Sequence, residues 1–252
     1  MAATIDLPAA GYRYIPFAFQ YSGGVEALAG YRIERVEFSR PVPLAAGFAW
    51  IEAYLGKHGI PLLGFCACEL RSPAQFTDQG FIDFNRHYTS TLMRWGVMQN
   101  PEDNPVARSN VIPDLHKPAE PSFHAFCFAR PAHDAPGSFV IAGSGEAGDG
   151  PAPYHERTIR YGDTGPDAMR EKAVFVLRRM EERMAPFGKG WADVTCTQVY
   201  TVYDVHTYLA DEIVRRGAAQ HGLLWHYARP PVEGLEYEMD CRSVPVEHHV
   251  QV

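Results

Sequence analysis

The chain has 252 residues, of which 46% are hydrophobic and 12% aromatic, enough apolar material to bury the core of one large domain or two small ones. A formal net charge of −7 with no Lys/Arg-rich run disfavours a phosphate-tracking surface, so small organic ligands are expected and nucleic acid is not. The first ten residues carry neither a basic nor an apolar stretch, and no run of 18 apolar residues occurs, so neither a leader nor a membrane span is expected and the cytoplasm is the expected location.

In chain order, Tyr21-Ser22-Gly23-Gly24 reads as a strand end, and a second strand follows over 31–38. Leu44, Phe48, Ile51 and Leu55 make one apolar face of a helix over 44–58, stopped at Gly59. A buried strand over 62–70, a helix over 76–95 and strands over 107–112 and 122–129 complete the first half. Pro131, Pro136 and Gly137 mark a junction over 130–137. The second half starts at Gly143-Ser144-Gly145-Glu146, continues with a strand over 154–161, and carries Met169, Ala173, Val176, Leu177, Met180 and Met184 on one face of a helix over 166–185. A strand over 193–202, a helix over 205–216 and strands over 223–228 and 235–244 follow.

Ser22 pairs with Ser144, and Tyr31 with Tyr154, at a nearly constant offset, which predicts an internal repeat. The expected fold class is α+β: two tandem ββαβαββ modules, 1–130 and 138–252, with helices packed on one face of each sheet. The cysteines Cys66, Cys68, Cys127, Cys196 and Cys241 are odd in number and lie in strand-like stretches, so buried free thiols are expected. Cys66-Ala67-Cys68 lacks CxxC spacing, and strand alternation sends both thiols to one face. No metal site is expected, and His248 and His249 are expected in a disordered tail.

Several strings carry a family resemblance. Val106-Ala107-Arg108-Ser109-Asn110-Val111 resembles the "PARS.V" string of the RidA (YjgF-like) family, and Phe84-Asn85-Arg86-His87-Tyr88 resembles its "VNATY" helix. Phe139 to Glu146 is similar to its early strand ending in Ser-Gly-Gln, and Glu238 to Val244 to its closing strand. The resemblance implies a chorismate-mutase-like fold, assembly of modules in threes, clefts between modules as sites, and hydrolysis of enamines or imines to carbonyl compounds and ammonia. It implies Arg108 as carboxylate anchor, Glu238 as the residue that holds the attacking water, and Asn85, Ser144 and Gly145 as further substrate contacts. One chain supplies two modules, so a homo-oligomer, a trimer first, is expected. The pattern is incomplete in each half: the arginine position falls at Gly222 in the second, the glutamate position at Phe123 beside His124 in the first, and Asn110 stands where the family often has cysteine.

The residue chemistry agrees with these roles. A guanidinium grips a carboxylate through parallel hydrogen bonds, and a partly desolvated carboxyl suits the proton exchanges of hydrolysis. No cofactor is expected. Each residue also has a plainer reading: Arg108 as an interface ion pair, Asn85 as a helix-to-loop link, Ser144 between glycines as a bulge, Glu238 as a solvated strand carboxylate, and His124 as a satisfied core histidine. Three function classes follow: a hydrolase of the enamine or imine deaminase type acting on a small unsaturated or imino carboxylate; a different reaction on the same scaffold, chorismate-converting or ring-opening; and a non-catalytic binder of small carboxylates.

Overall fold

The computed structural model describes residues 4–133 and 137–252. Three short strands, β1 (Ile5–Leu7), β2 (Tyr12–Tyr14) and β3 (Gly24–Ala27), lead into the long β4 (Tyr31–Pro43), helix α1 (Leu44–Lys57), β5 (Phe65–Arg71), helix α2 (Asp78–Arg94), β6 (Ala107–Pro113) and β7 (Ser122–Pro131). The chain continues with β8 (Phe139–Gly145), a single helical turn α3 (Tyr154–Arg157), the long α4 (Pro166–Met184), β9 (Cys196–Tyr200), the short α5 (His206–Tyr208), β10 (Leu224–His226), β11 (Ala228–Arg229), β12 (Glu238–Ser243) and β13 (Val246–Val250). No helix among the described residues is long and apolar enough to cross a membrane.

The strands form two mixed sheets, ordered β11-β6-β5-β7-β4-β13 and β1-β2-β3-β8-β12-β9-β10. Helices α1 and α2 cover the outer face of the first through Phe48, Ile51, Leu55, Phe84, Tyr88 and Leu92, and α4 covers the second through Met169, Ala173, Val176, Leu177 and Met180. Their apolar residues recur every three or four positions, which puts them on one stripe. Thr77 caps α2 by accepting from the Gly80 N–H at 3.1 Å, and Pro166 opens α4 at a position that lacks a helical donor anyway. Gly47 lets α1 lie close on the sheet, because a Cβ there would overlap the Phe123 ring.

The expected α+β class of two tandem ββαβαββ, RidA-like modules needs correction. Residues 154–161 form α3 and turns instead of a strand, with Arg160 at φ 48°. The helix expected over 205–216 is one turn followed by a π-type turn over 209–214. The ends of the chain also cross over. β3 pairs with β8, which attaches β1–β3 to the sheet of the second half. β13, expected as a disordered tail, lies parallel to β4, and His248 Nε2 sits 2.9 Å from Glu34 Oε2. What the halves share is narrower: the sheet orders β4-β7-β5-β6 and β8-β12-β9-β10 repeat one strand–helix–strand–helix–strand–strand path. Of the junction expected over 130–137, residues 134–136 lie outside the described residues.

The cysteines are free, with Cys196 half-buried and the other four buried. Cys66 and Cys68 nevertheless face opposite ways. The register between β5 and β7 shifts between Phe65 and Ala67, so Cys66 packs between the sheets while Cys68 joins the helix-side core and meets Tyr88 Oη at 3.3 Å. A bulge resets the alternation from which one face was expected.

Between the sheets, small residues such as Ala67, Ala107, Ala129 and Ala142 fill one region, and charges fill the other. Arg35, 1% exposed, reaches Glu69 Oε1 and Glu37 Oε2 at 2.7 Å and Glu247 Oε2 at 2.9 Å. Arg242 joins Glu247 at 2.9 Å, so β4, β5, β12 and β13 are tied together. Burial alone would raise the Glu69 carboxyl, but Arg35, Arg242, His124 and Arg71 outweigh it and hold it well below the ordinary carboxylate range. Its stabilising contribution is therefore present near neutrality and lost as pH falls through the depressed value. Glu69→Ala removes one of the three carboxylates around Arg35 and the one beside Arg71, and should cost about 1.5–3 kcal/mol for the charge-assisted hydrogen bond lost. Thermal unfolding at pH 7 checks this, and a change in melting temperature of a degree or less would contradict it.

Candidate active site

β6 and β8 come together where the two sheets meet, and a cavity of about 230 Å³ opens beside them. Its walls include Arg108 and Asn110 of β6, Gly143, Ser144 and Gly145 of β8, Glu238 at the start of β12, and Arg183 near the end of α4. Phe17, Tyr21, Phe81, Val232 and Leu235 give it apolar sides, and the 147–157 segment contributes Asp149, Tyr154 and Arg157. The volume lies below the roughly 300–1,000 Å³ of drug-sized sites and suits a small acid.

Arg108 is 3% exposed, and its Nε and Nη1 are buried without a hydrogen-bond partner among the described residues. Rings of Tyr88, Phe84, Tyr21 and Phe81 surround the guanidinium at 4.9, 5.5, 5.6 and 5.9 Å from their centroids. Aromatic faces partly compensate a cation but accept no strong hydrogen bond. A buried charge left in that state favours an anionic ligand.

Glu238 is also 3% exposed. Burial and the neighbouring Asp240 push its carboxyl well above the ordinary range; Arg108 opposes them, Glu146 adds to them, and Arg183 opposes in turn. Its proton is held more tightly than in an ordinary glutamate, which suits a proton donor. Gly143 makes room for it, since a Cβ there would overlap Glu238 Oε1 and lie 2.9 Å from Ser109 Cβ. Glu146 fixes the approach to β12: its carboxylate accepts from the backbone N–H groups of Glu236 at 2.7 Å and Tyr237 at 3.1 Å and pairs with buried Lys172 at 3.1 Å.

Of the residues singled out from sequence, Arg108, Ser144, Gly145 and Glu238 line one cavity. Asn85 does not line it: its Nδ2 donates to the Phe81 carbonyl at 2.6 Å inside α2, and its Oδ1 is buried with no partner among the described residues. His124 stands elsewhere, 3.9 Å from Glu37 and Glu69, its pKa pushed down to about 3 by burial and Arg71. Sequence reasoning missed Arg183 and Arg157. Arg183 donates to the Ala142 and Gly143 carbonyls at 2.9 and 3.1 Å; Arg157 stacks on Tyr154 at 3.7 Å and donates through Nε to the Ala152 carbonyl at 2.9 Å. A readable signal existed for Arg183, a cation between Met180 and Met184 on the apolar stripe of a helix. Among the described residues, no group of three or more His, Cys, Asp or Glu is placed to hold a metal ion.

Two outcomes follow from this geometry. Gly143→Ala should displace the Glu238 carboxyl and cost about 1–3 kcal/mol through overpacking, which a melting curve and a crystal structure of the variant would check; an unmoved carboxyl would contradict it. Because the folded chain binds the Glu238 proton more tightly than the unfolded chain, this group's contribution declines as pH rises above the ordinary glutamate value of about 4.3. Glu238→Gln removes that decline. Its gain in melting temperature over the parent should be larger at pH 8 than at pH 5, and a gain that ignores pH would contradict the assignment.

Comparison with known proteins fixes the family. Residues 4–248 match the family model described as 2-aminomuconate deaminase CnbZ. The chain is 52% identical over 235 residues to 2-amino-5-chloromuconate deaminase of Comamonas testosteroni, covering 92% of this chain and 93% of that protein. A crystal structure of chorismatase aligns with a TM-score of 0.55 at 15% identity, over 93% of this chain and 77% of the other, a likeness of fold alone. These findings overturn the resemblance to the RidA family, whose short strings match strand and helix environments that other folds also contain. The chain is an enzyme, and it belongs to the 2-aminomuconate deaminase family.

Proposed function

We propose that the enzyme hydrolyses a 2-aminomuconate-type substrate, a six-carbon, doubly unsaturated dicarboxylate with an amino group on C2, to the 2-oxo acid and ammonia. The observation that carries this reading is the convergence of a buried guanidinium, Arg108, with no hydrogen-bond partner for Nε and Nη1 among the described residues, and a buried carboxyl, Glu238, on one small cavity, in a chain of this family. Arg108 takes the carboxylate beside the amino-bearing carbon. Arg183 and Arg157 favour the second carboxylate through their positive charge.

The electron flow balances without an oxidant. The amino nitrogen pushes its lone pair into the conjugated chain, a chain carbon takes the Glu238 proton, and C2 becomes a C=N carbon bearing the positive charge. The resulting Glu238 carboxylate takes a proton from water as the water oxygen bonds to C2. Glu238 then returns that proton to nitrogen, the C–N bond breaks, and ammonia leaves as the C2–O bond becomes a carbonyl, whose hydroxyl proton passes to the Glu238 carboxylate and restores its protonated form. One water is consumed and one ammonia released. Apolar walls around Arg108 and Glu238 exclude bulk water and strengthen each electrostatic contact.

Ammonia release from 2-aminomuconate tests the reading. Arg108→Ala should lose about 10²-fold or more in kcat/KM, since each charge-assisted hydrogen bond is worth roughly 1.5–3 kcal/mol. Glu238→Gln should lose about 10²–10⁴-fold in kcat. Parent-like turnover in either folded variant would refute the corresponding role.

A further inference from the structure

We propose that Asn110 is a further catalytic residue: its side-chain amide donates a hydrogen bond to the oxygen that forms on C2 of the substrate. The inference rests on the hydrolytic reading above. β6 alternates, with Ala107 and Val111 packing between the sheets and Arg108 turned toward the rings of α2. Asn110 shares the Arg108 side of the strand, two residues on, at a rise of about 6.6 Å. Both residues line one cavity, so a ligand whose carboxylate sits on Arg108 can bring its next carbons to Asn110.

Asn110 lines the cavity and is 3% exposed. Its Oδ1 accepts from Ser72 Oγ at 2.9 Å, and Ser72 is itself fixed and fully buried, its N–H donating to the Val111 carbonyl at 3.0 Å. With Oδ1 engaged, Nδ2 is left buried with no partner among the described residues. A buried donor in that state is satisfied by an acceptor that arrives with the ligand.

The reaction supplies such an acceptor. The amino group on C2 has little acceptor strength, because its lone pair is delocalised into the diene. The oxygen that adds to C2 has lone pairs free, first in the tetrahedral adduct and then in the carbonyl. Asn110 thus strengthens its bond as the reaction proceeds, which favours the transition state over the ground state. The amide gives up no proton, so the proton balance stays with Glu238 and water.

Calorimetry with two probes, adipate and 2-oxoadipate, isolates the effect, since they differ by the C2 oxygen alone. The parent enzyme should bind 2-oxoadipate about tenfold or more tightly than adipate. Asn110→Ala should abolish that preference, keep adipate affinity within about twofold, and lower kcat while leaving the pH profile in place. Ser72→Ala, which keeps the amide but frees it to turn, should weaken the preference, and it covers the case in which Asn110→Ala fails to fold. Retention of the full preference in a folded variant, or its absence in the parent, overturns the Asn110 role while leaving the hydrolytic reading intact. Failure of both probes to bind the parent would sink the carboxylate site and this inference together.

Discussion

A guanidinium buried without a counter-ion is unstable relative to one in water unless something else stabilises it, and Arg108 is in that position. Two other buried cations of the chain are met by carboxylates. Arg35 meets carboxylates of Glu69, Glu37 and Glu247 within 2.9 Å, and Lys172 meets Glu146 at 3.1 Å. Arg108 has aromatic rings and, among the described residues, no hydrogen-bond partner for its Nε and Nη1. On the proposed reading a ligand carboxylate makes up the difference, and its entry recovers the free energy.

The fold supplies the rigidity such a site needs. Ion pairs on β4, β5, β12 and β13 tie the sheets together at one region, and small side chains let them approach at the other. That approach brings β6 beside β8, so a residue from each half reaches one cavity. Gly143 and the Glu146 bonds then set the position of Glu238, whose burial raises its proton affinity.

The long elements were legible in the sequence because their apolar periodicity is strong: α1, α2 and α4 each end within a few residues of the expected positions. Strand 154–161 was misread. Its alternation survives on paper, yet Arg157 bonds to the Ala152 carbonyl and Pro153 opens a helical turn, so the segment closes on itself. Cys66 was misassigned because a bulge leaves no trace in the pattern of residue types. Arg108, Ser144, Gly145 and Glu238 came from short strings that describe local environments well and family membership poorly. Asn85 shows the limit of that transfer: its amide serves its own helix. Asn110 needed coordinates, because an amide on a strand reads as structural until its neighbours are known, whereas Arg183 left a signal as a cation on an apolar helix stripe.

The most direct test is a crystal structure with muconate, the substrate-like dicarboxylate that lacks the amino group. One carboxylate should lie within about 2.7–2.9 Å of the Arg108 guanidinium, with the adjoining carbons between Glu238 and Asn110. Muconate bound away from this cavity, or Arg108 paired with a carboxylate of its own chain while the cavity stays empty, would contradict the account.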